Sequence, residues 1–171
     1  DLQINMLALM MLGRLGDTQA VPVLVRALFM QGQRRPVALQ EVARVSLLQI
    51  DDLNAVAEHL VRAGRMQDTE LNAMQQADQN FDIRLIKEQV AISLGMIGVA
   101  SEPVITYLSE ELNHAEEDSF AQTAPKGQVS FTPTLSKAYR RTWAAQALAK
   151  LRHEPAVGVV VGRLGIRNKQ L

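Results

Sequence analysis

Four times along this chain, an apolar stripe of helical period runs into a short turn and a second stripe follows at once. No other feature restricts the fold as tightly. One amphipathic helix pair cannot cover its own apolar face, so pairs that recur along a chain bury it by stacking. The first stripe is Ile4, Leu7, Ala8, Met11, Leu12 and Leu15, at steps of three and four. Gly16 and Asp17 stop it: glycine suits the left-handed residue after a helix, and Asp17 or Thr18 can cap the next one. Val21, Leu24, Val25 and Leu28 follow, with Pro22 in the first turn, where a missing N–H costs no hydrogen bond. Helices joined by so short a turn are antiparallel neighbours.

The other three units repeat this plan. Pro36 opens a helix with Leu39, Val42, Ala43, Ser46, Leu47 and Ile50; Asp51 and Asp52 form the turn, and Leu53, Val56, Ala57 and Leu60 follow. Ile83, Ile86, Val90, Leu94 and Ile97 end at Gly98, and Ser101 caps a helix with Pro103, Ile105, Leu108 and Leu112. Ala144, Ala147, Leu148 and Leu151 lead through a turn to Pro155, Val157, Val160, Val161 and Leu164. The spacing is uneven because two segments are inserted. Residues 66–80 are polar and helix-compatible, with Asp68 or Thr69 as cap, and predict an extra short helix. Residues 115–134 combine acidic, Pro, Gly and small polar residues and predict a long mobile loop. Without these insertions the repeat length is roughly 35 residues, that of a helix pair.

The run Leu12-Gly13-Arg14-Leu15-Gly16-Asp17-Thr18-Gln19-Ala20-Val21-Pro22-Val23-Leu24 closely resembles the short bacterial HEAT repeat of the phycobilisome-lyase type. Leu94-Gly95-Met96-Ile97-Gly98 repeats its first half, and Arg141 to Leu151 resembles its Arg-x-x-Ala-Ala-x-Ala-Leu helix. The second unit lacks the glycines and keeps only the period. The resemblance implies an all-α, HEAT-like α-solenoid of about four antiparallel helix pairs, a single domain over residues 1–171. The chain starts at Asp1 without a methionine or signal-peptide pattern, so further repeats or domains are expected in a longer protein.

Composition narrows the chemistry. There is no cysteine, which excludes disulfides, thiolate metal sites and cysteine nucleophiles, and which fits the cytoplasm, our preferred compartment, and the periplasm alike. The nearly apolar run 90–100 is too short to span a bilayer. His59, His114 and His153 show no metal-ligand spacing. His153-Glu154 resembles the His-Glu dipeptides of the HEAT-like iron enzyme deoxyhypusine hydroxylase. A di-iron site needs several such ligands, however, so we read this single dipeptide as a turn and helix cap. No nucleophile elbow or phosphate loop is present. We therefore expect no cofactor and no bound metal.

The net charge is zero but unevenly spread. Residues 51–134 carry fourteen acidic and five basic side chains; residues 135–171 carry eight basic and one acidic. These patterns point to a non-enzymatic protein-interaction scaffold or adaptor with an acidic protein as partner. The contact residues would be Arg26, Phe29, Glu58 and Arg62 on the second helices, with Arg140, Arg141, Arg163 and Arg167 as a basic patch. Two alternatives stay open. The repeat's family name suggests a bilin lyase or chromophore chaperone. HEAT-like DNA glycosylases suggest nucleic-acid binding, and Tyr139 and Trp143 share a basic helix face. The acidic middle of the chain opposes that second alternative, because it would repel a long polyanion.

Overall fold

The computed structural model describes residues 2–29, 37–77, 83–113 and 143–152, and these residues are helices and turns without a strand. Helix α1 (Leu2–Leu15) and helix α2 (Val21–Phe29) are joined through one 3-10 turn, Thr18–Ala20. Asp17 caps that turn by accepting from the Gln19 N–H at 2.8 Å. Helix α3 (Val37–Leu47) and helix α4 (Leu53–Gly64) meet at Asp52, whose carboxylate accepts from the Asn54 and Ala55 N–H groups. Helix α5 (Thr69–Ala77) lies within the first insertion, and Asp68 caps it through the Glu70 and Leu71 N–H groups. Helix α6 (Ile83–Ile97) and helix α7 (Glu102–Asn113) follow, and residues 143–150 form a further helix, α8. The segment 115–134, the second helix of the fourth unit, His114 and His153 lie outside the described residues.

Packing runs between units. Helix α3 lies against both α1 and α2, while α4 touches α2, α6 and α7. The core is one apolar cluster that includes Leu24, Leu28, Leu47, Leu60, Ile86, Leu94, Leu108, Leu112 and Leu148. The two glycines of the Leu-Gly-x-x-Gly run have separate duties. A Cβ on Gly13 would stand 2.7 Å from the Ser46 Cα of α3, and one on Gly95 would stand 3.0 Å from the Ala147 Cα of α8. Only a hydrogen fits at Gly13 without a shift of α3, and a Cβ at Gly95 would be tight, so the glycines bring two helix backbones into contact. Gly16 and Gly98 take φ of +69° and +77°, the left-handed residue that ends a helix. Arg152 occupies that same place after α8, at φ 53°. The Asp51 N–H then donates to the Gly16 carbonyl at 3.1 Å, linking the first turn to the second.

These contacts fix a common frame for the units. Ile4, Leu39 and Ile86 are equivalent, as are Ala8, Ala43, Val90 and Ala144. So are Met11, Ser46, Ser93 and Ala147, and likewise Leu15, Ile50, Ile97 and Leu151. All of these are buried in the second, third and fourth units. In the first unit they are exposed, Ile4 at 65% and Leu15 at 73%. The predicted core stripe of α1 is therefore corrected. Its buried side is Leu9 and Gly13, with Met6 and Leu12 half-buried, because α3 approaches from that side and nothing described covers the other.

One frame position carries a charge. Where the other units place Leu9, Ala91 and Ala145, the second has Arg44, 5% exposed. Its guanidinium bonds to Glu41 on α3 and to Gln89 on α6.

The crossings and the core yield one stability prediction. Gly13→Ala and Gly95→Ala each cost about 1–3 kcal/mol through forced separation of backbones. Leu94→Ala, fully enclosed, costs about 2–5 kcal/mol. Urea unfolding of the three variants checks both ranges.

Candidate functional site

The second helices differ in how much surface they keep. On α2, six of nine residues are buried, because α3, α4 and α6 all press on it. Phe29 continues the row Val21, Val25 at steps of four and is 1% exposed. The expectation that Phe29 is a surface contact is thus corrected: it is a core residue. Arg26 is half-buried and forms an ion pair with Glu70 of α5, which holds the inserted helix to α2.

Helix α4 keeps an open charged face. Asp52 starts the helix and sets its rotation; Val56, Ala57, Leu60 and Val61 then turn inward. Glu58 and Arg62, one turn apart, are left exposed to solvent. His59 lies half-buried beside them. Burial lowers its pKa from the usual 6.5, and the Arg62 charge lowers it further, while Asp68 and Glu58 pull it back up. The structure thus brings Glu58 and Arg62 together and sets Arg26 apart from them, under α5. Arg140, Arg141, Arg163 and Arg167 lie outside the described residues. Of the basic end, Lys150 and Arg152 are described, and both are exposed.

Beyond the end of α4 lies an open cavity of about 570 Å³ lined by Gly64, Arg65, Met66, Lys87, Tyr107, Glu110 and Glu111. Its walls are charged in opposite-sign pairs. Arg65 meets Glu110 at 2.8 Å, and Lys87 meets Glu111 at 2.9 Å. The first pair is in part exposed and contributes little. The second is withdrawn from water, with side chains 17% and 8% exposed. Met66 ends α4 in the left-handed region at φ 56°, and its carbonyl accepts from the Asn72 side-chain amide at 2.9 Å. That bond ties the start of α5 to the cavity rim. Cavities that take small ligands are mostly apolar with a few polar groups, whereas polar and apolar surface share this wall about equally.

Sequence reasoning missed the cross-helix pairs Arg26–Glu70, Arg65–Glu110 and Lys87–Glu111. Their partners lie 44, 45 and 24 residues apart in sequence, on separate helices, so no local spacing signals them. Among the described residues, no group of three His, Asp or Glu side chains could hold a metal ion. None of the described helices is long and apolar enough to cross a membrane.

A stack of helix pairs with crossing glycines and left-handed helix ends defines a helical-repeat protein. Residues 8–29, which run from mid-α1 through α2, match the PBS lyase HEAT-like repeat. The chain therefore carries a HEAT-like repeat. No curated protein and no solved structure matches it.

Two predictions concern this region. Lys87→Met removes one cation from the buried Glu111 carboxylate and costs up to about 3–5 kcal/mol, while Lys87→Met with Glu111→Leu recovers much of that. Chemical denaturation of the single and double variants measures the difference. The second concerns pH. Because the folded pKa of His59 is lowered, the unfolded chain binds the extra proton first as pH falls through 6.5. Stability at this site is full above 6.5 and declines as pH drops toward the folded value. His59→Gln should flatten the fall in melting temperature between neutral pH and the onset of carboxylate titration.

Proposed function

We propose that this chain is a non-enzymatic protein-interaction scaffold that presents charged helix faces to a partner protein. The observation that supports the reading best is the α4 face. Val56, Ala57, Leu60 and Val61 turn inward, Glu58 and Arg62 stand in solvent, and the helix leads at its C-terminal end into a cavity walled by paired charges. Such a surface recognises charge pattern, and charge pattern sets specificity and encounter rate more than raw affinity. A HEAT-like repeat supports the same reading, since stacked pairs build extended binding surfaces.

The partner we propose is acidic. The basic residues of 135–171, with Arg140, Arg141, Arg163 and Arg167 among them, offer the complementary charge. The apolar period of the sequence alone would put Arg140 and Arg141 at the start of one helix and Arg163 and Arg167 near the end of the next, and an antiparallel pair would bring those four charges to one end. A compact acidic site can approach that end, whereas a long polyanion also meets the acidic residues of 51–134.

Charge reversal tests the proposal. Arg140→Glu with Arg141→Glu should slow association with the captured partner about tenfold at low salt, with a smaller effect at high salt. Arg62→Glu should weaken the same complex. Surface plasmon resonance reads both. Tight duplex DNA binding lost in the double variant would assign the basic end to nucleic acid instead. A protein-dependent red shift of bilin absorbance would favour the chromophore alternative.

A further inference from the structure

Helix α1 is apolar on two opposite sides. One side, through Leu9 and Gly13, faces α3. The other carries Ile4, Leu7, Ala8, Met11 and Leu15, with Met10 at its margin, and all six are exposed. Arg14 is the one charged residue from Leu2 to Leu15. A helix with apolar residues on two opposite sides has a second side to bury, so this helix is composed to be covered twice. The repeat frame says the same: at four equivalent positions the later units bury their residues against a neighbouring helix.

We propose that a second copy of this chain covers this side, with α1 packed on α1 in an antiparallel two-fold pair. Three observations select that occupant. The first is Met11. At the two glycine crossings this position is small, Ser46 or Ala147, and a glycine backbone of the preceding helix closes on it. A methionine holds off such a backbone, so the partner does not present a glycine crossing there.

The second is self-complementarity. In an antiparallel pair centred between Leu9 and Met10, one copy's Ile4 meets the other copy's Leu15, and one copy's Ala8 meets the other's Met11. Large meets small at the middle, and branched meets branched at both ends. The two Arg14 residues fall about 14 Å apart along the axis, beyond the screening distance at physiological salt.

The third is area. Ile4, Leu7, Met10, Met11 and Leu15 are 65%, 58%, 42%, 59% and 73% exposed. With Ala8 they present roughly 600 Å² per copy and roughly 1,200 Å² per pair, the lower end of what a stable interface buries. The pair then forms in the micromolar range, and dilution dissociates it.

Sedimentation velocity of the 171-residue chain across the micromolar range should show a mass of twice 18.9 kDa that falls on dilution. Leu7→Lys with Met11→Lys should weaken the association at least tenfold. Both residues are exposed in the single chain, so its helical circular dichroism should persist. A second measurement fixes the geometry. The chain has no cysteine, so Ile4→Cys and Leu15→Cys chains, mixed and oxidised, should cross-link, and neither alone should. A monomer at every concentration overturns the proposal, as does a dimer indifferent to the lysines. Cross-linking by Ile4→Cys alone overturns the antiparallel pairing. A monomer that sediments with lipid vesicles through these residues would assign the face to a membrane surface, and the proposal fails.

Discussion

Backbone contact at Gly13 and Gly95 sets the distance between successive units, and the rest of the packing follows from that distance. With only a hydrogen on the crossing residue, the neighbouring helix must offer Ser46 or Ala147, and larger residues are displaced to the flanks of the crossing. There Leu39, Ile50 and Leu151 fill the remaining space. Three residues later, Gly16 or Gly98 releases the chain into a turn at a backbone angle that other residues rarely adopt. One short sequence run therefore specifies both how close two helices come and where the chain turns back.

The inserted α5 is held differently. Leu71 supplies a fully buried anchor, and the Arg26–Glu70 pair and the Asn72–Met66 bond fix its position. By occupying Arg26 it removes one cation from the available surface. Among the described residues, the α4 face and the rim of the cavity beyond it keep charged side chains at the surface. The cavity's inner pair, Lys87–Glu111, joins α6 to α7 within one unit, while Arg65–Glu110 joins α4 to α7 across two. A partner that competes for Arg65 or Glu110 would act on the contact between units. One that reaches Lys87 would have to displace a buried carboxylate first.

The helical class and the inward faces of α2, α3, α4, α6 and α7 were legible because apolar period reports burial directly. Gly16 and Gly98 were legible as helix ends because their requirement is local. Gly13 and Gly95 were not read as crossing points, since close approach depends on a partner distant in sequence. The stripe Ile4, Leu7, Met11, Leu15 shows a different limit. Period marks which residues seek cover, but not whether the cover comes from this chain. Phe29 was misplaced for a related reason: the second helix of a pair is exposed only if no later unit reaches it, and α6 reaches α2. Ion pairs between helices escaped because their geometry is fixed only after stacking.

Units that share one apolar frame pose a problem of order during folding, since a helix can dock on the wrong copy. The α1, α6 and α8 positions equivalent to Arg44 are Leu9, Ala91 and Ala145, which have nothing to say about identity. Arg44 does. Its guanidinium keeps Glu41 of its own helix in any arrangement, but it finds Gln89 only when the second unit lies beside the third, so any other order costs a buried cation one of its hydrogen bonds. A buried arginine in this series thus favours one order of the units over the others.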